Sequence, residues 1–188
     1  MTANESSEQL IEPPAEQHIE QHIEQQPQRL TERPLAERVS APASLPLPTV
    51  GADLTWRRLR RDDLPALLEL DTLCGVEDHP RLVNTLDMFE EGFDAPSFDP
   101  ELDSAVALDG AGTLVAYGEA VKDSEAATIV KVHLNGQVRP DRRREGIGTA
   151  LLAWQEGRGL QHLAASDLHL PLAHGRLGVW RAPAARAA

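Results

Sequence analysis

The residues best suited to chemistry lie in one run, Gly136-Gln137-Val138-Arg139-Pro140-Asp141-Arg142-Arg143-Arg144-Glu145-Gly146-Ile147-Gly148-Thr149-Ala150-Leu151-Leu152. Four arginines fall within six residues, and two glycines then open a segment with apolar residues at Ile147, Ala150, Leu151 and Trp154. That i, i+3, i+4, i+7 spacing predicts a helix with one buried face. The first turn of a helix carries unpaired N–H groups and a partial positive charge, so it attracts anions. Glycines at 146 and 148 let an anion reach backbone, and the arginines add charge suited to a multiply charged phosphate. The implied chemistry is the binding of a pyrophosphate-bearing ligand. An Arg-rich surface turn before an ordinary helix would leave the two glycines unexplained, since each costs about 1 kcal/mol relative to Ala.

The elements around this run are legible from periodicity. Leu54 to Leu59 alternates as a half-buried strand does. Asp62 and Asp63 can cap a helix with Pro65 in its first turn, an apolar stripe at Leu64, Leu67, Leu68 and Leu73, and a stop at Gly75. A second helix is expected over Leu82 to Glu91. Strands are expected over Ser104 to Asp109, Thr113 to Val121 and Thr128 to Val138, the first two joined by a Gly110-Ala111-Gly112 turn. The order is strand, two helices, three strands, helix, which predicts an α+β or mixed α/β layer.

The two ends read differently. Residues 1–53 are rich in Glu, Gln and Pro and predict a disordered acidic tail and linker. Inside it the repeat Gln17-His18-Ile19-Glu20, Gln21-His22-Ile23-Glu24 stacks two histidines, a solvated nascent helix rather than a closed metal site. Leu168 to Ala188 carries three Arg, six Ala and no acid, and its prolines and glycines break any period. We expect an irregular tail over 165–188.

Composition excludes several classes. Thirty acids against 18 basic residues give a net charge of −12, which argues against general nucleic-acid binding. No stretch has the roughly 18 uninterrupted apolar residues of a membrane span, and the N-terminus lacks the pattern of a secretory signal. Cys74 is the single cysteine, so no internal disulfide forms. A cytoplasmic setting is the expectation.

Among phosphate motifs, a P-loop would need G-x-x-x-x-G-K-[ST], which is absent, and a dinucleotide fingerprint would need Gly or Ala at position 151, where Leu stands. The run instead resembles the coenzyme A motif of the GCN5-related N-acetyltransferases, V-x-P-x-x-[QR]-x-x-G-x-[GA], through Val138, Pro140, Arg143, Gly146 and Gly148. The resemblance covers about Leu54 to Ala164, so 54–164 is read as a domain of that type, with a mostly antiparallel sheet, flanking helices and an incomplete C-terminal part. It implies acetyl-CoA as donor, a small-molecule or peptide amine as acceptor, and no metal. Gly136, Gln137 and Val138 would pair with the pantetheine arm, and Arg144, Glu145, Gly146, Ile147, Gly148 and Thr149 would surround the pyrophosphate with N–H groups. Arg143 stands at the family's Gln/Arg position. Glu119 and His133 are the candidate bases. The family's acid is a Tyr in a later element, whereas the only Tyr here is Tyr117. The alternative is a truncated or degenerate domain that binds coenzyme A, or packs on a partner, without catalysis. A second domain of the same type or a homodimer is an expected partner. The stretch Gly75 to Asp109 has ten acids against Arg81, which reads as a solvated face or as a rim steering a cationic acceptor.

Overall fold

A computed structural model describes residues 33–78, 83–123, 129–170 and 172–175. The elements run in order α1 (Leu35–Arg38), β1 (Thr55–Arg57), α2 (Leu64–Asp78), α3 (Leu86–Phe93), α4 (Pro100–Asp103), β2 (Ser104–Leu108), β3 (Leu114–Lys122), β4 (Val130–Val138), α5 (Ile147–Ala164) and β5 (Leu172–Gly175). Strands β1 to β4 form an antiparallel meander, and β5 joins β4 in parallel, giving the order β1-β2-β3-β4-β5. The α+β layer expected from periodicity is present. No described helix is long and apolar enough to cross a membrane.

The sheet separates two cores. In an antiparallel pair, cross-strand partners share a face. Gly118 pairs with Ala105 and Gly136, and Ala116 with Ala107 and Val138. These small residues make one face nearly flat, and Ile147, Leu151 and Trp154 of α5 pack onto it. A Cβ on Gly118 would come within 2.7 Å of Leu151 Cδ1, so the helix sits where only glycine fits. On the other face Val106, Leu114 and Tyr117 pack under α2 and α3, against Leu64, Leu67, Leu70 and Phe89.

Four expectations need correction. The ordered chain begins well before residue 54: Leu35 is fully buried with Leu163 and Val130, and Leu45, Leu47 and Val50 pack on the α5 core. Averaged composition hid these few apolar residues among the polar ones. Residues 1–32, with the His repeat, lie outside the described residues. Helix α2 runs through Gly75 to Asp78, because tertiary packing outweighs one glycine, and its buried stripe is Leu64, Leu67, Leu70, Asp71 and Cys74, with Leu73 turned outward. Helix α3 starts at Leu86, and the short α4 was missed. Finally, the segment read as an irregular tail contains β5, which pairs with Val130 to His133 and covers that part of the β4 edge. Its short length and flanking Pro171 gave no alternation to detect.

Candidate functional site

Two features of the backbone define one end of a cleft. Arg144 has φ 69° and Gly146 has φ 84°, so the chain between β4 and α5 passes twice through the left-handed region. Where a left-handed residue adjoins a right-handed one, as Gly146 adjoins the start of α5, neighbouring N–H groups can form an anion-binding concavity. No hydrogen bond joins the N–H groups of Arg144 through Thr149 to another described residue; the first bond of the helix is Ala150 N–H to Gly146 C=O at 3.0 Å. These six donors, without a partner among the described residues, lie at the N-terminus of α5, where the helix dipole also favours an anion. The positive φ favours glycine at 146, and a Cβ there would meet no protein atom closer than Val50 Cγ2, at 3.7 Å.

The arginine run is used differently from the expectation. Arg139 is paired to Asp141 (2.9 Å), Arg142 to Asp53 and Glu145 (2.9 Å each), and Arg143 to Asp78 (2.6 Å) and Glu77 (3.4 Å). Arg143 also donates from Nε to the Val138 carbonyl at 3.1 Å, tying the end of α2 to the end of β4. The hydrogen bond to Asp78 leads the effects that raise the Arg143 pKa and keep it charged. Among the described residues, Arg144 is the one arginine of the four without an ion pair, and it lines the cleft.

The cleft, about 390 Å³, lies between α2 and the end of β4. Gly136, Gln137 and Val138 line it along the strand, and Arg143, Arg144, Gly146, Gly148 and Thr149 close one end. Ile147 and Glu145 do not line it: the Ile147 side chain is buried in the core and the Glu145 carboxylate faces Arg142, so both reach the concavity only through backbone. Past His133, no described strand pairs with the outer edge of β4.

The opposite end is polar and was missed in the sequence. Asp71 of α2 is 8% exposed; it accepts from Gln137 Nε2 at 2.5 Å and from Asn84 Nδ2 at 2.9 Å. Glu119 is buried beneath the cleft, accepting from the Tyr117 hydroxyl and from Asn135 Nδ2 (2.8 Å). Tyr117 and Asn135 line the cleft themselves. Burial, followed by the Glu119 charge, pushes the Tyr117 phenol well above its ordinary value, so it stays protonated. His133 shares this face of the sheet but sits four residues before Gln137, roughly 13 Å along the strand. It pairs with Asp123 at 2.7 Å and does not line the cleft, which corrects its place among the bases. Cys74 is buried, as its type suggests; burial leads the effects that raise its thiol pKa, and Sγ lies 3.5 Å from the Val138 carbonyl. One signal for Asp71 was available: Leu67, Asp71 and Cys74 repeat at helical spacing, a charge set inside an apolar stripe.

No family model matches the chain, and no curated protein is similar to it in sequence. Solved structures do match. A GCN5-related N-acetyltransferase from Sphaerobacter thermophilus aligns with 67% of this chain and 39% of its own, at 19% identity and a TM-score of 0.52. The aminoglycoside N-acetyltransferase AAC(6')-Iy in complex with CoA aligns over 66% of this chain and 77% of its own (19% identity, TM-score 0.44). Chaetomium thermophilum Naa20 with a bisubstrate analogue aligns over 56% and 55% (23% identity, TM-score 0.43). The chain thus matches well under half the length of the Sphaerobacter protein. The fold is that of the GCN5-related N-acetyltransferases.

Proposed function

We propose that the cleft binds acetyl-CoA and that the protein transfers its acetyl group to an amine. The observation that carries this reading is the set of six N–H groups from Arg144 to Thr149 that have no partner among the described residues, at the end of a strand whose outer edge pairs with no described strand beside it. A pyrophosphate would take the N–H groups and Arg144, while Gly136, Gln137 and Val138 would lie alongside the pantetheine arm. The acetyl carbonyl would be polarised by a backbone N–H near Val138.

Glu119 would be the base, acting through Tyr117. The amine nitrogen attacks the acetyl carbonyl carbon as its proton passes to the Tyr117 oxygen and the Tyr117 proton to Glu119. The C–S bond then breaks, and the same path returns one proton to the departing thiolate, so the products are an amide and free coenzyme A. Concerted transfer avoids a tyrosinate, which burial beside a carboxylate disfavours.

Calorimetric titration with acetyl-CoA tests binding, and thiol release over a panel of amines tests transfer. The sharpest variant is Gly148→Asp. A carboxylate in the first turn suits the helix dipole, and a Cβ there meets Val138 Cγ2 at an ordinary 3.6 Å, so the fold should persist. Affinity should still fall at least tenfold, because the charge faces the phosphates. Unchanged affinity would move the site elsewhere. Binding without thiol release would select the non-catalytic reading.

A further inference from the structure

The Asp71 carboxylate is buried, yet no cation pairs with it among the described residues. Its two oxygens are held by neutral amide donors, Gln137 Nε2 and Asn84 Nδ2. A buried charge with no opposite charge is costly, and such groups are normally paired. The same contacts have a second consequence. Each amide must turn its NH2 toward Asp71, which forces its carbonyl oxygen away, and both Asn84 Oδ1 and Gln137 Oε1 are left buried with no donor. Asn84 itself is only 6% exposed. Flipping either amide would set an oxygen against the carboxylate, so the orphaned acceptors cannot be relieved internally.

All three residues line the cleft. One wall therefore presents a negative charge and two unsatisfied acceptors, while the far end presents Arg144 and six N–H donors. An anionic ligand would oppose this wall, and a neutral donor could fill the two acceptors but would leave the carboxylate without an opposite charge. A protonated aliphatic amine or a guanidinium supplies the missing charge together with two or three N–H donors.

We propose that Asp71, with Asn84 and Gln137, forms a cation-binding subsite that selects alkylammonium or guanidinium acceptors over uncharged ones. This rests on the acetyl-transfer reading for its meaning, but the subsite can be measured without the coenzyme. The Asp71 group reads the charge of the acceptor, Gln137 couples that reading to the strand beside the pantetheine path, and Asn84 closes it from the loop before α3.

The test titrates the full chain with 1,4-diaminobutane and, separately, with the uncharged 1,4-butanediol, each with and without coenzyme A. The diamine should bind at least tenfold more tightly than the diol, with an affinity that falls as salt rises. Asp71→Asn, nearly the same size, should weaken diamine binding at least tenfold while acetyl-CoA affinity stays within about twofold. Equal binding of diol and diamine by the unmodified protein would overturn the subsite with no variant needed. So would diamine affinity unchanged in Asp71→Asn. Failure of acetyl-CoA to bind would instead sink the coenzyme reading, and the coenzyme-free titrations would still decide Asp71.

Discussion

The two faces of the sheet are built on opposite principles. Toward α5, Ala105, Ala107, Ala116 and Gly118 bring a helix close against a dry surface, and Gln155 on that helix satisfies the Glu119 and Asn135 carbonyls at 2.9 and 2.6 Å. Toward α2, the same strands carry Tyr117, Glu119, Asn135 and Gln137, and two buried acceptors lining the cleft there have no donor; the α5 face leaves one buried donor, Trp154 Nε1, unpaired, away from any cleft lining. Close packing without voids stabilises a fold, whereas unsatisfied polar groups weaken it and persist where a ligand completes them. One face holds the protein together; the other is prepared for a guest.

If that contrast is right, substitutions on the α5 side should cost stability and those on the α2 side should cost binding. The largest effect is expected at Asp103, which is buried at the end of α4 and anchors α5 through Arg158 (2.7 Å) and His162 (2.8 Å). Asp103→Asn leaves those partners uncompensated and should lower unfolding free energy by about 3 kcal/mol in urea titration. The cost should depend on pH. Burial alone would raise the Asp103 carboxyl, but hydrogen bonds from His162, the Asp99 N–H and Arg158 outweigh it and hold the pKa below its ordinary value. A depressed carboxyl contributes stability above its unfolded pKa and loses it as pH falls through the folded one. The gap between wild type and variant should thus be full above about pH 5 and shrink below about pH 4. A gap that is flat across this range would remove the ionised carboxylate from the account.

Next comes Gly118→Val, which drives two methyl groups into Leu151 and should cost about 2–3 kcal/mol by the same titration. A cost below about 0.5 kcal/mol, the range of ordinary surface changes, would mean that α5 is not closely seated. On the other side, Tyr117→Phe keeps the ring and removes the hydroxyl that donates to Glu119. Thiol release should fall by about 10²-fold or more, the usual scale of acid–base assistance, with acetyl-CoA affinity little changed. Full turnover in this variant would take Tyr117 out of the proton path. The smallest expected effect is on stability in Gln137→Met, where loss of one donor to Asp71 is partly offset by removal of an orphaned acceptor. A change of at most about 1 kcal/mol by thermal melting fits the contrast; a loss of 3 kcal/mol would make this face structural as well.

Much of the frame was legible in the chain because it rests on local periodicity. The three long strands, the α2 helix and α5 lie within a few residues of where alternation and i, i+3, i+4 spacing put them. The Gly146 turn was legible because glycine before an apolar helix has few explanations. The arginines misled for a definite reason. Sequence counts charge but not its partners, and Asp53, Glu77 and Asp78 reach Arg142 and Arg143 from distant segments. The N-terminal stretch misled likewise, since Leu35 and Leu45 bury against α5 more than a hundred positions on in the chain.

What the amino-acid order alone determined is the succession of elements and the position of the glycine-opened turn between β4 and α5, since both depend on neighbours along the chain. What only the tertiary structure decided is the chemistry of the cleft. Asp71, Asn84, Glu119 and Gln137 come from four separate segments, and nothing in their local sequence relates them. Their meeting depends on β3 and β4 pairing in the observed register and on α2 packing across that face, so which charges are cancelled, and which are left waiting for a ligand, is a property of the assembled fold.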